Sequence, residues 1–90
     1  MKIQISPYIR TIHPEIPYSQ IISTLKNPDE KYFDKQRSRH IHIKKVEDRW
    51  LILIYTKDPN INVMTAFYAK EKNKHKYVRD KIVRRVWTVS

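Results

Sequence analysis

Ninety residues carry nineteen Lys and Arg against nine Asp and Glu, a net charge of +10 that points to an anionic partner, nucleic acid first. The absence of cysteine and glycine excludes disulfides, thiolate metal sites and Gly-rich phosphate loops. Apolar residues at 40% suit one small folded domain over 1–90, and no apolar run is long enough to span a bilayer. The opening "MKIQISPYIR" lacks the long apolar stretch of a signal peptide, so a cytoplasmic protein is expected.

In chain order, "KIQIS" (2–6) alternates as a short strand, and Pro7 ends it or places it on an edge. "PYIRTIHPEIPY" holds three prolines and cannot be one regular element. From Pro17 the pattern becomes helical, with Tyr18, Ile21, Ile22 and Leu25 on one face. "KNPDE" stops that helix, because Asn27 precedes Pro28.

Four strand-like runs follow. "KYFDKQ" (31–36) has the weakest pattern. "RHIHIKKV" (39–46) alternates, with Ile41 and Ile43 facing the core and His40, His42 and Lys44 on the opposite face. After a turn at "EDR", "RWLILIYT" (49–56) is apolar on both faces, as in a strand covered on each side. A second turn is expected at "KDPN" (57–60), with Pro59 in it, before "INVMTAFYA" (61–69). Short sequential turns imply an antiparallel meander.

Lys70 to Arg85 holds eight Lys and Arg against Glu71 and Asp80. Val78, Ile82 and Val86, with Val83 and Trp87 beside them, give a helix with a basic face of Lys81, Arg84 and Arg85, although β-branching leaves a final strand open. The expected fold class is α+β: an N-terminal helix on a curled antiparallel sheet of about four strands, with a basic C-terminal helix over 70–90.

The concentration of Arg37, Arg39, His40, His42 and Lys44 is the main chemical signal. Side chains two apart on a strand lie about 6.6 Å from each other on one face, so His40, His42 and Lys44 form a basic row. Cleavage of RNA by its 2′-OH needs a base, an acid and a cation on the phosphorane. Histidine supplies the first two near neutral pH, and Arg or Lys the third. For any single one of these residues a solvated strand face is the commoner explanation; the cluster as a group is less easily dismissed.

"HIH" could offer two imidazoles to one ion, but the third ligand would have to be His13, His75 or Asp34, and no spacing supports it, so no metal or other cofactor is expected. Tyr68 and Lys70 share a strand face, where the ring could stack on a base and the lysine hold a phosphate, while Thr65 reads as a satisfied hydroxyl. His13 lies two residues from Glu15, an acid–base pair or simply part of a structured arm. Lys81, Arg84 and Arg85 are the expected contacts to a nucleic-acid backbone.

The run "HPEIPYSQIISTLKNPDE", a basic stretch ending in "RHIHI", then "RWLILIYT", a short turn and "VMTAFYAK" resembles the barnase–EndoU–colicin–RelE-like nuclease superfamily, in its small BrnT-like and RelE-like toxin branches. The likeness spans His13 to Lys70 and includes the "LKNPD" tract and "TAFY" at 65–68. It implies an α+β fold whose sheet face cuts RNA without metal, points to His13, Arg37, Arg39, His40, Thr65 and Tyr68, and implies an acidic, antitoxin-like protein partner.

Two functions are therefore expected. One is a metal-independent endoribonuclease of toxin type, with His40 and His42 moving protons, Arg37 and Arg39 on the phosphate, and Tyr68 on a base. The other is a protein that binds RNA or DNA without cutting it. A basic face that meets an acidic protein is a third reading.

Overall fold

The computed structural model describes residues 2–57 and 60–90. The elements run β1 (Ile3–Ile5), α1 (Pro7–Ile12), α2 (Tyr18–Lys26), β2 (Glu30–Asp34), β3 (Arg39–Val46), β4 (Arg49–Lys57), β5 (Ile61–Lys70), α3 (Glu71–Val83) and β6 (Trp87–Val89). They build an α+β fold on one six-stranded sheet of order β1-β5-β4-β3-β2-β6. All neighbours are antiparallel except β1, which runs parallel to β5. The sheet is therefore mixed and two strands wider than expected from the sequence, and there are two N-terminal helices where one was expected.

The expected meander of β3, β4 and β5 is present. The turn expected at 57–60 includes Asp58 and Pro59, which lie outside the described residues. The three-proline segment divides into a helix and a turn. Ser6 Oγ accepts from the Tyr8 amide at 3.2 Å, and Pro7 takes the first helical position, where a missing N–H costs nothing. His13 ends α1, and Pro17 stands immediately before α2. The C-terminal helix is shorter than expected: it stops at Val83, and Trp87–Val89 becomes an edge strand on β2.

Each face of the sheet buries a separate core. Ile9, Ile16, Ile21 and Leu25 from the N-terminal half pack on Leu51, Leu53, Tyr55, Val63 and Ala66. Val78 and Trp87 pack on Ile41, Ile43 and Ile52 on the other side. Strand β4 is apolar on both faces because it lies under helices on both. A bulge opposite Ile54 and Tyr55 inserts one residue in β5, so Val63 and Ala66, three apart, share a face.

Candidate nucleic-acid interface

Residues on β3 alternate between the two covered faces. Arg39, Ile41 and Ile43 look towards α3, and His40, His42 and Lys44 towards α2. The expected basic, solvent-facing row on His40, His42 and Lys44 is therefore not free.

His42 is buried beneath α2. Its Nδ1 lies 3.2 Å from the Thr24 carbonyl, which can only accept, so Nδ1 carries the proton. Nε2 is then the acceptor for the Tyr55 hydroxyl at 3.0 Å. Thr24 is free to offer that carbonyl near the end of α2, where helical C=O groups lack intrahelical partners. Burial pushes the His42 imidazole below its ordinary pKa, and nearby Lys31 adds to this. Both nitrogens serve the fold, so His42 is out of reach for proton transfer to a substrate. Lys44 is similarly engaged: its Nζ donates to the Asn27 carbonyl at 2.8 Å just past α2.

His40 differs. It is half-buried between two rings, 5.1 Å from Tyr55 and 5.0 Å from Phe33, centroid to centroid. Burial lowers its pKa, and Lys57 lowers it further, so the ring is neutral at pH 7.

The α3 side of the same sheet end brings together the remaining cations. Asp34, Arg37, Arg39, Tyr77, Lys81 and Trp87 line a cleft of ≈ 50 Å³. That is room for a few water-sized groups, such as the oxygens of a phosphate. Asp34 is buried and accepts from the backbone amides of Gln36 and Arg37 at 3.0 and 3.1 Å, which closes the β2–β3 hairpin. Arg37 Nη1 is 3.4 Å from the same carboxylate, while most of the Arg37 side chain is exposed. Lys81 Nζ sits 5.5 Å from the Tyr77 ring centroid. Among the described residues, neither Arg39 nor Lys81 is paired with a carboxylate. Burial raises the Tyr77 phenol, against the pull of Arg37, so it remains a hydrogen-bond donor. Trp87 fixes the floor by packing on Tyr77 at 5.3 Å and Tyr32 at 5.7 Å.

Other residues singled out in the sequence lie elsewhere. His13 Nδ1 is 3.1 Å from Glu15 Oε1 on the surface. A hydrogen bond to its own backbone, then one to His13, holds the Glu15 carboxyl low, with a smaller pull from Arg49. Arg49 starts β4, about 20 Å of strand away from Tyr55, so His13 is at the opposite end of the sheet from Arg37 and Arg39. Tyr68 donates to Gln20 Oε1 and has the Arg49 guanidinium 3.6 Å over its ring, so that face is already occupied. Thr65 faces the α3 side, and Lys70 is exposed just before α3. Arg84 and Arg85 are exposed where α3 ends, with Arg84 Nε 3.3 Å from Asp80 Oδ1. No group of three or more His, Asp or Glu side chains among the described residues could share an ion.

Three residues with structural weight went unread in the sequence. Lys74, in the middle of "KEKNKHK", is buried on Glu30 with its Nζ 4.1 Å from the Trp50 ring centroid. Tyr77 and Trp50 were also passed over. A helix periodicity of three and four from Val78 would have placed Lys74 on the buried face, a weak but readable signal.

Comparison with family models, with curated proteins and with solved structures returns no match.

Proposed function

We propose that this protein binds RNA, with the phosphodiester backbone held at the β2–β3 hairpin by Arg37, Arg39 and Lys81 and followed outward by Arg84 and Arg85. The observation that carries this reading is the convergence of Arg39 and Lys81, without carboxylate partners among the described residues, on one cleft that the protonated Tyr77 also lines. A guanidinium fork and an ammonium suit a phosphate, and Tyr77 adds a third donor. The resemblance to the RelE-like nucleases agrees with an RNA ligand in the cytoplasm and adds an acidic protein that would compete for the same cations.

Cleavage without metal is the second reading, and His40 favours it. Burial keeps it neutral, as a general base requires. It stands beside Arg39 in β3 but on the opposite, α2 face of the sheet, so a substrate would have to cross the hairpin to meet both. It then works without His42, whose ring is fixed inside the fold.

Titration of labelled single-stranded RNA at several salt concentrations, in EDTA, tests both. Affinity that falls steeply with salt supports binding. Product bands that vanish in His40→Ala, with affinity retained, support cleavage; intact RNA in a shifted complex leaves binding alone. RNA that neither shifts nor breaks at physiological salt rejects the proposal.

A further inference from the structure

The α1/α2 side of the sheet carries a row of rings that stops one strand short of the edge. Tyr55 on β4, His40 on β3 and Phe33 on β2 are direct cross-strand neighbours. The His40 and Tyr55 planes are 18° apart, and Phe33 leans on His40 at 56°. On β6 the next position in the row is Thr88, paired with Phe33. Its Oγ1 donates to the Phe33 carbonyl at 3.4 Å, so this small side chain lies against the β2 backbone. Strands repeat about every 4.8 Å, close to the ring spacing in the row, so a ring over Thr88 would continue it, and among the described residues the only ring Phe33 meets is His40. Helix α2 lies over β3 and β4 and α1 over β5, and beyond them Phe33 is half-buried while Lys31 and Thr88 are exposed.

We infer that Phe33 stacks an unpaired base of a single-stranded nucleic acid, with the base over Thr88 as the fourth member of the row. The inference rests on the RNA-binding reading and narrows its ligand to single strands, because a duplex keeps its base faces covered. The rim selects this occupant. Lys31 on β2 and Lys57 on β4 project from the same face, close enough to disfavour protonation of His42 and His40 respectively. A base brings a π face for Phe33 and a phosphate for the lysines; an apolar peptide side chain would find no apolar rim. Asp34 and Arg39, the next residues along each strand, point to the opposite face and line the phosphate cleft. One strand crossing the hairpin would therefore meet cations on one side and rings on the other. Stacking of this kind tolerates any base.

The test compares a labelled single-stranded oligouridylate with an abasic phosphodiester chain of equal length and charge, by fluorescence anisotropy. The base-bearing chain should bind roughly tenfold more tightly. Phe33→Leu should remove that preference and leave the abasic affinity unchanged. In the wild-type protein, the Phe33 ring protons should move upfield with the base-bearing chain and not with the abasic one. Equal affinity for the two chains overturns the inference, as does a preference that survives Phe33→Leu. If Phe33→Leu does not fold, a stationary Phe33 ring signal in the wild type overturns it instead. Abasic binding without a base preference sinks only the stacking site, whereas failure of both chains to bind removes the RNA reading itself.

Discussion

At the end of the sheet where β3 turns into β4, Lys74 sits between Glu30 and Trp50, Arg49 covers Tyr68, and Trp50 Nε1 donates to Glu71 at 2.6 Å. At the opposite end, Arg39 and Lys81 face a cleft whose one carboxylate, Asp34, is taken up by two backbone amides and Arg37. The two ends are built from the same residue types and differ in what surrounds them. Glu15, Glu30 and Glu71 lie near the first. The two ends therefore use their cations differently: those near β3–β4 are engaged within the fold, whereas near β2–β3 Arg39 and Lys81 have no carboxylate partner among the described residues.

Removing a cation from the first end should give the largest effect. Lys74→Ala loses an ion pair, a cation–π contact and packing under α3, and leaves Glu30 with Tyr32 alone. A loss of about 3 kcal/mol is expected, a value for a largely buried pair with one partner partly wetted. Urea denaturation should show it as a lower midpoint at unchanged slope, and RNA affinity of the folded fraction should not move. A Lys74→Ala protein of wild-type stability would mean that this lysine, too, is available to ligands.

His42→Leu comes next, at about 2 kcal/mol, because the Tyr55 hydroxyl and the Thr24 carbonyl both lose a partner. It also exposes the sign of a pH dependence. The folded pKa of His42 lies below the ordinary histidine value, so the unfolded chain takes up protons first. The stability tied to a neutral His42 is complete above about pH 6.5 and is lost as pH falls from there towards the folded value. Urea midpoints between pH 8 and pH 5 should fall more steeply for wild type than for His42→Leu. Parallel curves would contradict the buried, neutral assignment.

This histidine also shows where sequence reading stopped. The β3–β4–β5 meander was legible because alternation and turn residues are local properties, and α2 was legible from its apolar spacing and the stop at Asn27–Pro28. What "RHIHI" could not display was α2 lying across its polar side, a contact between residues 18 apart. The run at 2–6 reads as a short strand and β-branching leaves a final strand open, but the same limit hid their pairing, since the partners of β1 and β6 lie far along the chain. Lys74 was marked only by its spacing of four from Val78, since a buried lysine is otherwise spelled like its solvated neighbours. Arg37, Arg39 and Lys81 were each legible as basic residues, but their meeting with Tyr77 depends on α3 folding back over the hairpin.

At the β2–β3 end, Arg39→Ala and Lys81→Ala should each weaken RNA binding roughly fivefold at moderate salt. Each should also flatten the plot of log affinity against log salt by about one unit. Their effect on stability should stay within about 0.5 kcal/mol, as for surface changes without a structural partner. A drop in stability larger than the drop in affinity would assign these residues to the fold, and the contrast between the two ends would disappear.

The smallest change tests the contrast within one residue. Helix α3 ends with the Val86 amide bonded to the Lys81 carbonyl at 2.8 Å and the Arg85 amide to the Ile82 carbonyl at 2.9 Å, with Arg85 at φ 59°. That is a Schellman ending, whose left-handed position most often holds glycine, and this chain contains no glycine. An arginine there carries left-handed strain of about 1 kcal/mol, which glycine relieves while giving back part of the gain as unfolded-state entropy. Arg85→Gly should therefore stabilise the fold by about 0.5 kcal/mol, read from the urea midpoint. If Arg85 follows the RNA backbone outward from Lys81, the same substitution should lower affinity and the salt slope together. A variant that is more stable and binds as tightly as wild type would confine the phosphate site to Arg37, Arg39 and Lys81. A variant that is more stable and binds more weakly would show a strained arginine kept at a helix end for its charge.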